Sequence, residues 1–529
     1  MLEQHSPPPP FKSLVAEMTE ASGFGRGFSK AALAQASKIP MQLLPEERME
    51  PLRRDLRTLP FVTIDGEDAK DFDDAVYVAC RRRGFRLWVA VSDVAHYVPE
   101  GSALDKCAQE RATSVYLANG VLPMLPERLS NGLCSLLPGE ERLVLVAEMV
   151  FSEEGHFLET EVYPAVIKSA ARLTYEEVQR FFNGDPPPHL HAFLPMLQNA
   201  RVLASRLHAL RIQRGALEMQ VPERRLECSL QGEPLQIRLR HPQESHRLIE
   251  SFMVCANEAV ARYAVRRALP VLFRCHGQPD ERKLQLFSRV AKSMGAPMGK
   301  PGPHEFNRML NAVRGTPQER FLGMMLLRSM SQAVYSEKNE GHYGLASWAY
   351  LHFTSPIRRY PDLWVHRILK AHWAQSLAPV ETAALAKLAR HCVEKERSAM
   401  QLERDAAACG SAYLAQKLLG KSFEATVVGF ARMGCFLEIE RLWIEGLIRT
   451  RHLGNGVSFD ERNYCLEFPG ERKLELGMRC TVRVCSAHVQ RGQVKLKCLA
   501  LPRELQQPKA SKKSRKPLSK SPERKEGRA

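Results

Sequence analysis

Residues 63–76 read TIDGEDAKDFDDAV, a stretch that carries four closely spaced aspartates: Asp65, Asp71, Asp73 and Asp74. The apolar runs FVTI and AVYVA on either side predict buried strands, so the aspartates are expected at the edge of a rigid sheet. Carboxylates this close together raise one another's pKa unless a cation lies among them. Oxygen ligands without a nearby His or Cys suit Mg²⁺ or Mn²⁺, and the stretch therefore predicts a metal centre.

Two other interpretations of this stretch are a solvated acidic turn and a calcium-binding EF-hand loop. The apolar flanks disfavour a solvated turn, and Phe72 and Ala75 are expected to pack inward and fix the loop. An EF-hand needs an oxygen ligand at its fifth position and Gly at its sixth, where counting from Asp65 gives Ala69 and Lys70. The metal centre is the interpretation that the residues favour.

The charge of the chain points to a polyanionic partner. The 529 residues, a length typical of two to four domains, include 76 basic and 59 acidic residues, for a net charge of +17. A cationic surface that gathers phosphates around a cluster of carboxylates predicts metal-assisted hydrolysis of a phosphodiester. From Pro508 onward nine basic and two acidic residues form a tail, expected to be disordered and to attract RNA. A tail that only adds solubility is the alternative.

Several classes of protein are disfavoured by what the sequence lacks. It has no apolar run long enough to cross a membrane and no secretory leader pattern, so a cytoplasmic protein is expected. Its 13 cysteines form no C-x-x-C pair, which is typical of reduced thiols. The stretch GAPMGKP lacks the spacing of an ATP-binding P-loop, and no G-x-S-x-G nucleophile motif occurs.

The sequence divides into an N-terminal extension (1–50), an α+β domain (51–419), a small β-barrel (420–502) and a basic tail (503–529). The α+β domain mixes strand-like and helical runs, and residues 380–418 predict one or two long helices. The barrel is indicated by five short strand-like runs separated by turns, FEATVVGF, GCFLEI, EGLIR, RCTVRVCSA and QVKLKCL. This pattern is typical of an OB-fold.

Two further stretches carry candidate RNA-contacting groups. FTSPIRRYPD (353–362) places Arg358 and Arg359 between two prolines, where guanidinium groups can bind a phosphate through two hydrogen bonds. A turn with surface arginines is the alternative. Tyr116 precedes the loop PMLPERLSNGLCSL (123–136), and its place in an apolar run favours the core over an exposed ring that stacks on a base.

Aromatic and basic residues alternate in the barrel. Phe423, Phe430 and Phe436 lie among Lys and Arg residues, a pattern that suits single-stranded nucleic acid. Some of these rings are needed to fill the barrel core, and Phe436 is the most ambiguous of the three.

Four blocks of the sequence resemble, in order and spacing, the RNB catalytic domain of the ribonuclease II and ribonuclease R exoribonucleases. The blocks are TIDGEDAKDFDDAV, PMLPERLSNGLCSL, RLIESFMVCANEAVA (247–261) and HFTSPIRRYPD (352–362). The resemblance covers about residues 50–420 and implies that the α+β domain has a mixed sheet with surrounding helices and a central RNA channel. The barrel resembles the S1 domain that usually follows in this family.

The resemblance implies processive hydrolysis of RNA from the 3′ end to nucleoside 5′-monophosphates, with Mg²⁺. It implies metal binding by all four aspartates, with Asp73 most directly tied to catalysis, and a phosphate contact for Arg358. It also implies that Tyr116 stacks on the 3′-terminal nucleotides, which reverses the preference for a core position, and that Glu250 contacts RNA. Where the family has a second stacking aromatic, this sequence has Met219, which implies a looser grip on the RNA end.

The sequence also departs from the family before the catalytic domain. The family usually carries two cold-shock barrels there, whereas about 60 residues precede the domain here. The S1-like barrel and the basic tail are then expected to capture more of the RNA, and an open channel mouth is expected to admit a duplex with a 3′ overhang. Alternatives are an RNA-binding protein with an inactive domain, which the four aspartates disfavour, and an endonuclease. A monomer that acts on RNA without ATP is expected.

Overall fold

The computed structural model describes residues 10–219, 222–470, 472–502 and 505. Its helices are α1 Phe11–Ala21, α2 Lys30–Lys38, α3 Pro45–Arg48, α4 Val94–Tyr97, α5 Ala103–Arg111, α6 Tyr175–Phe182, α7 Leu194–Gln213, α8 Glu244–Arg266, α9 Glu281–Ser293, α10 Pro303–Ala312, α11 Pro317–Ser329, α12 Tyr360–Trp373 and α13 Thr382–Gln416. The predicted basic tail lies outside the described residues apart from Leu505.

The strands fall into two groups, one before α13 in the sequence and one after it. Before α13 they are β1 Arg54–Asp55, β2 Val62–Asp65, β3 Asp74–Arg81, β4 Gly84–Ser92, β5 Val115–Leu117, β6 Gly120–Leu122, β7 Glu141–Phe151, β8 Phe157–Lys168, β9 Ala171–Thr174, β10 Glu223–Cys228, β11 Pro234–Arg240, β12 Phe273–Cys275 and β13 Val334–Ser336. After it they are β14 Ser422–Ala431, β15 Gly434–Ile439, β16 Ile444–Arg449, β17 Ser458–Asp460, β18 Cys465–Phe468, β19 Arg472–Leu474, β20 Arg479–His488 and β21 Gln493–Ala500.

A seven-stranded mixed sheet forms the centre of the large domain, in the order β1-β8-β7-β4-β3-β2-β9. The outer pairs β1–β8 and β2–β9 are parallel, and the pairs between them are antiparallel. The strands predicted at FVTI and AVYVA are β2 and β3. The predicted α+β class is confirmed, and the segment between these two strands lies at one end of the sheet.

Both faces of this sheet are covered, which explains its nearly continuous apolar strands. On one face Leu87 of β4 packs against helices α7 and α8, where Phe252 is fully buried. On the other face Trp88 packs in a cluster with Phe72 and Ala75, as predicted for the last two residues. Full burial of a side chain such as Phe252 contributes about 2–3 kcal/mol, so the sheet is a rigid support for the segments at its ends.

Helix α13 is a single helix of 35 residues. It contacts α1, the β5–β6 hairpin, strands β10 and β11 and the C-terminal barrel, so it links the N-terminal extension, the large domain and the barrel. Within the described ranges, no helix combines the length and the apolar character needed to cross a membrane.

The C-terminal domain is a closed barrel with the strand order β14-β15-β16-β21-β20. These strands coincide with the five predicted runs, so the predicted barrel is confirmed. A three-stranded sheet, β17-β18-β19, is inserted between β16 and β20. The sequence analysis did not predict this insertion, whose strands have only three or four residues each.

A buried ion cluster joins the end of β4 to α12. Asp93 lies 2.7 Å from the Nζ of Lys370 and 3.3 Å from the Nη1 of Arg53, and the Asp93 and Arg53 side chains are fully buried. Burial opposes ionisation of Asp93, but Lys370 and Arg53 outweigh it and hold the pKa of the carboxyl below its usual range. The stabilisation from this lowered pKa is therefore present at neutral pH and is lost as the pH falls below the ordinary value for Asp.

We expect Asp93→Ala to lower the free energy of unfolding at pH 7 by about 3 kcal/mol, because it leaves the buried Arg53 paired only with the half-exposed Glu50 and removes the partner of Lys370. Asp185→Ala is the matched control, since it removes a solvent-exposed pair with Arg180, and should lower it by less than about 1 kcal/mol. Urea denaturation measures both. Equal effects of the two substitutions would contradict the assignment.

Candidate active site

The acidic segment 65–74 spans the end of β2 and the start of β3. Its middle is fixed by Ser135, whose hydroxyl accepts from the Phe72 amide at 3.0 Å and donates to the Lys70 carbonyl at 2.8 Å. The Asp73 carbonyl accepts from the Ser92 amide at 2.9 Å, and the Phe72 ring is buried. The loop PMLPERLSNGLCSL therefore holds the acidic segment in place through its serine.

Asp73 is the junction of the site. One carboxylate oxygen accepts from the Ile357 amide at 2.8 Å, and the other accepts from the Nε of Arg358 at 3.2 Å. Arg358 also donates from its Nη2 to the Ser355 hydroxyl at 3.0 Å. These contacts bring together the acidic and the arginine-containing motifs, as expected for one site.

The arginine loop has its own internal frame. Asp362 is fully buried, accepts from the Ser355 amide at 2.8 Å and forms two hydrogen bonds with Arg359, at 2.9 and 2.7 Å. The Arg358 carbonyl accepts from the Ser114 amide at 3.0 Å, which ties the loop to the segment before β5. Asp362 thus occupies the Nε and one terminal nitrogen of Arg359, and the RNA contact predicted for Arg359 stays a prediction.

The carboxylates of Asp65 and Asp74 have no hydrogen-bond or ion-pair partner among the described residues, and both residues are partly accessible. Burial raises the pKa of Asp65 to about 6 and the pKa of Asp73 to about 7. The positive charge of Arg358 opposes both increases, whereas the negative charge of Asp71 adds to them. Burial, followed by repulsion from Asp65 and Asp73, raises the pKa of Asp74 well above its usual value. The site therefore carries more negative charge than its arginine offsets, as expected where a cation binds.

The oxygen donors of this segment fit a hard divalent cation, but they do not form a closed cage. In the described part of the chain, three potential ligand residues with donor atoms within 4.8 Å of one another occur only at Asp460, Cys465 and Glu467. There the Nζ of Lys473 already lies 2.9 Å from Glu467. Mg²⁺ commonly takes one or two carboxylates and completes its shell with water and substrate phosphate, an arrangement that fits the open acidic segment.

Tyr116 lies on β5, beside the acidic segment. Its hydroxyl donates to Asp71 at 3.2 Å, and 42% of the residue is exposed. The preference for a core position, drawn from the apolar run, is therefore wrong. The exposed ring is compatible with the stacking role that the family resemblance implies, which stays a prediction.

Met219 and Glu250 lie away from these contacts. Met219 is partly buried against the cluster that includes the barrel core. The Glu250 carboxylate accepts from the Nη2 of Arg211 at 2.8 Å on an exposed part of α8. Neither forms a hydrogen bond or ion pair with the acidic segment in the described part of the structure, so the predicted RNA contacts of both stay predictions.

The three phenylalanines of the barrel have different environments. Phe430 is buried, with Phe459 stacked on it at 6.4 Å and Tyr464 edge-on at 5.5 Å between ring centroids. The prediction that Phe430 contacts RNA is corrected, because its ring fills the barrel core. Phe423 is half-buried against that core, and half-buried Phe436 lines a groove between the barrel and α13.

Two residues next to the acidic segment were missed by the sequence analysis. Arg172 donates to the carbonyls of Gly66 at 3.0 Å and Glu67 at 2.6 Å, and its charge lowers the pKa of Asp65. Burial and then Asp65 raise the pKa of Tyr175. Both residues arrive through the parallel pairing of β9 with β2, across about a hundred positions of sequence. No local motif signals such a pairing.

The RNB domain model matches residues 53–375, more than half of the chain. Ribonuclease R of Thermotoga maritima is 38% identical to this chain over 484 residues, 88% of this chain and 67% of that protein. The chain spans between 57% and 67% of the length of this protein and two other ribonuclease R proteins that it matches.

Solved structures of Mycoplasma genitalium ribonuclease R share the fold. One, in complex with ribose-methylated single-stranded RNA, has a TM-score of 0.88 and 28% identity over 93% of this chain and 78% of that chain. Another, in complex with double-stranded RNA, has a TM-score of 0.83 and 26% identity over 94% of this chain and 88% of that chain. With the acidic segment and the arginine loop joined at Asp73, these matches show that the chain belongs to the RNB family, in its ribonuclease R group of exoribonucleases.

Proposed function

We propose that this chain hydrolyses RNA processively from the 3′ end and releases nucleoside 5′-monophosphates. The observation that carries the proposal is the placement of two unpartnered carboxylates, Asp65 and Asp74, beside the Asp73–Arg358 ion pair. Membership of the ribonuclease R group supports both the substrate and the direction of degradation.

The ion that we propose is Mg²⁺, with Mn²⁺ as a substitute, held by Asp65 and Asp74 with Asp71 and Asp73 close by. A bound divalent ion would acidify a water molecule at neutral pH and offset the charge of the scissile phosphate. Asp65 and Asp74 must be ionised to bind it, and the negative charge of Asp73 beside them strengthens the binding. Because burial raises the pKa of Asp73 to about 7, the affinity for the ion should decrease as the pH falls below that value.

Arg358 is the group that we propose for the phosphate contact. Asp73 occupies its Nε and Ser355 its Nη2, while 42% of the side chain remains exposed. This arrangement leaves the second terminal nitrogen for a phosphate oxygen, and the two fixed hydrogen bonds orient the guanidinium before the substrate arrives.

The 3′-terminal nucleotide is proposed to stack on Tyr116, and Met219 and Glu250 are proposed as further RNA contacts away from the acidic segment. A tyrosine ring stacks on any base, which suits an enzyme that acts without regard to sequence. A methionine offers a smaller and more flexible surface than an aromatic ring. The grip on the terminal nucleotide is therefore proposed to depend mainly on Tyr116.

A groove of about 780 Å³ between the barrel and α13 is the proposed approach of the RNA. Phe436 and the exposed Met433 supply apolar surface for bases, with Phe423 of the S1-like barrel as a further candidate. Basic side chains for the phosphates line the same groove, namely Arg404, Arg449 and Lys495, whereas Arg224 there is paired with Glu445. Because a matched ribonuclease R structure holds double-stranded RNA, we propose that a duplex with a 3′ overhang is also a substrate.

The second candidate function is RNA binding by an inactive RNB domain. All four aspartates and Arg358 are present, which disfavours this alternative. We further propose that the chain acts in the cytoplasm, as a monomer and without ATP. The thirteen cysteines are all free thiols, which is compatible with a reducing compartment.

The proposed reaction is tested with 5′-labelled linear RNA, Mg²⁺ and no added phosphate. The chain should shorten the RNA from its 3′ end and release 5′-monophosphates. Asp73→Asn should reduce turnover by at least about 10³-fold, because it removes charge at the reacting centre, whereas RNA affinity depends on many phosphate contacts and should be kept. Asp68→Asn is the control on the same loop, since Asp68 pairs with Arg225 at the surface.

Asp68→Asn should retain activity within about twofold of the unsubstituted chain. Release of 5′-diphosphates only when phosphate is added would indicate phosphorolysis and contradict the proposal. Cleavage of circular RNA would indicate an endonuclease, and full turnover by Asp73→Asn would remove the acidic segment from the mechanism.

The unpartnered carboxylates also predict a gain in stability on neutralisation. The pKa of Asp65 is raised by burial to about 6 in the fold and is near its usual value in the unfolded chain, so ionisation destabilises the metal-free fold above about pH 6. Asp65→Asn should therefore raise the free energy of unfolding at pH 8, without divalent ions, by about 1–2 kcal/mol.

This gain should diminish as the pH is lowered from about 6 towards 4, because Asp65 is then protonated in the fold and begins to be protonated in the unfolded chain. Adding Mg²⁺ should stabilise the unsubstituted chain more than the variant. Denaturant unfolding at several pH values measures the difference, with Asp68→Asn as the control. A variant less stable than the unsubstituted chain at pH 8 would show that Asp65 has a partner in the fold.

A further inference from the structure

The hairpin that carries Tyr116 cannot be held by its own two strands. Strands β5 and β6 form a ladder of only three residue pairs, Val115–Leu122, Tyr116–Val121 and Leu117–Gly120, and share it with no third strand. An isolated two-stranded ribbon is at best marginally stable in water. The position of the Tyr116 ring therefore depends on what surrounds the hairpin.

The base of the hairpin is attached to the arginine loop. The Ser114 amide donates to the Arg358 carbonyl at 3.0 Å, and the Ser114 hydroxyl accepts from the Met124 amide at 2.9 Å. The first bond connects the start of the hairpin to the segment that carries Arg358, and the second joins the two ends of the hairpin to each other. They do not contact Tyr116 itself.

The inner side of the hairpin packs on the N-terminal extension and on α13. Val115 is fully buried in a small cluster with Phe24 of the extension and with Ala399 and Leu402 of α13. The N-terminal extension, to which the sequence analysis assigned no function, thus supplies one of the apolar side chains beneath the hairpin. Val115 directly precedes Tyr116, so this packing fixes the distance of β5 from α13. It does not supply a hydrogen-bond partner for the backbone N–H of Tyr116.

The bond to that amide comes from α13. Glu403 accepts from the Tyr116 backbone N–H through Oε1 at 2.8 Å, across 287 positions of sequence. At its other end the tyrosine hydroxyl donates to Asp71 at 3.2 Å. An amide–carboxylate bond is charge-assisted, so it is shorter and stronger than a bond between neutral groups. Tyr116 is therefore held between one carboxylate of α13 and one of the acidic segment.

We propose that Glu403 is a positioning residue, which fixes the backbone of Tyr116 so that the ring is presented to the terminal nucleotide. The inference rests on the proposed function, because it takes Tyr116 as the ring that stacks on the RNA end. Glu403 acts on the substrate only through Tyr116. It adds a residue of α13, outside all four family-like blocks, to those that determine how tightly the RNA end is held.

A double-mutant cycle tests this inference in the full chain. Four proteins are compared: the unsubstituted chain, Tyr116→Ala, Glu403→Ala and the variant that carries both substitutions. KM, kcat and the length of the final product are measured on a labelled single-stranded RNA. Glu394→Ala is the matched control, because Glu394 is an exposed residue of the same helix. Alanine is a strong helix former, so α13 is retained in all of them.

We expect Tyr116→Ala to raise KM about tenfold or more through the loss of stacking. Glu403→Ala should raise KM several-fold and lengthen the final product, with kcat changed by less than about twofold. In the Tyr116→Ala background Glu403→Ala should have no further effect, since its only route to the substrate is gone. Glu403→Gln, which keeps a carbonyl oxygen for the amide, should restore KM to within about twofold of the unsubstituted chain.

The outcomes separate this inference from the proposed function. If the two substitutions raised KM by independent factors that multiply in the double variant, Glu403 would not act through Tyr116. That result, or a failure of Glu403→Gln to restore KM, would overturn the positioning role of Glu403 and leave the proposed function intact. An unchanged KM in Tyr116→Ala would overturn the stacking role of the tyrosine together with this inference. Absence of RNA hydrolysis by the unsubstituted chain would instead contradict the proposed function itself.

Discussion

The carboxylate of Asp73 is shared between the Ile357 amide and the Arg358 guanidinium, and the candidate site is arranged around that contact. It joins two segments 285 positions apart, one at the edge of the central sheet and one before α12. If the contact were absent, the Arg358 guanidinium would keep only its hydrogen bond to Ser355, within its own loop. The geometry of the whole site therefore depends on the long-range packing that brings these two loops together.

Two groups of buried aspartates in the same domain show how the environment decides their role. Asp93 lies against Lys370 and Arg53, which outweigh the penalty of burial, and its ionised form stabilises the fold. Asp65 and Asp74 are also buried to a large extent but lack such partners, so their ionised forms oppose folding until a cation arrives. The arrangement around Asp93 stabilises the fold. The arrangement around Asp65 and Asp74 lowers the stability of the fold but keeps negative charge available to bind a cation.

Much of this organisation is readable from the chain, because it depends on local patterns. The apolar runs around the four aspartates predict the strands that end and begin there, and the five short runs after residue 420 predict the closed barrel. The site residues that the sequence did not predict are those brought to the site by contacts between segments far apart in the chain. Arg172 arrives through the parallel register of β9 with β2, and Glu403 through the packing of α13 on a hairpin. The exposure of individual rings also depends on tertiary structure, which is why the local pattern predicted an RNA contact for the buried Phe430 and a core position for the exposed Tyr116.

The central claim is that the open carboxylates of the acidic segment hold a divalent cation. Anomalous diffraction from crystals of the full chain grown with Mn²⁺ tests it most directly. The account predicts a strong anomalous peak within ligand distance, about 2.1–2.3 Å, of a carboxylate oxygen of Asp65 or Asp74. Full-occupancy peaks elsewhere, for example at Asp460 and Glu467, with none at the acidic segment, would contradict it.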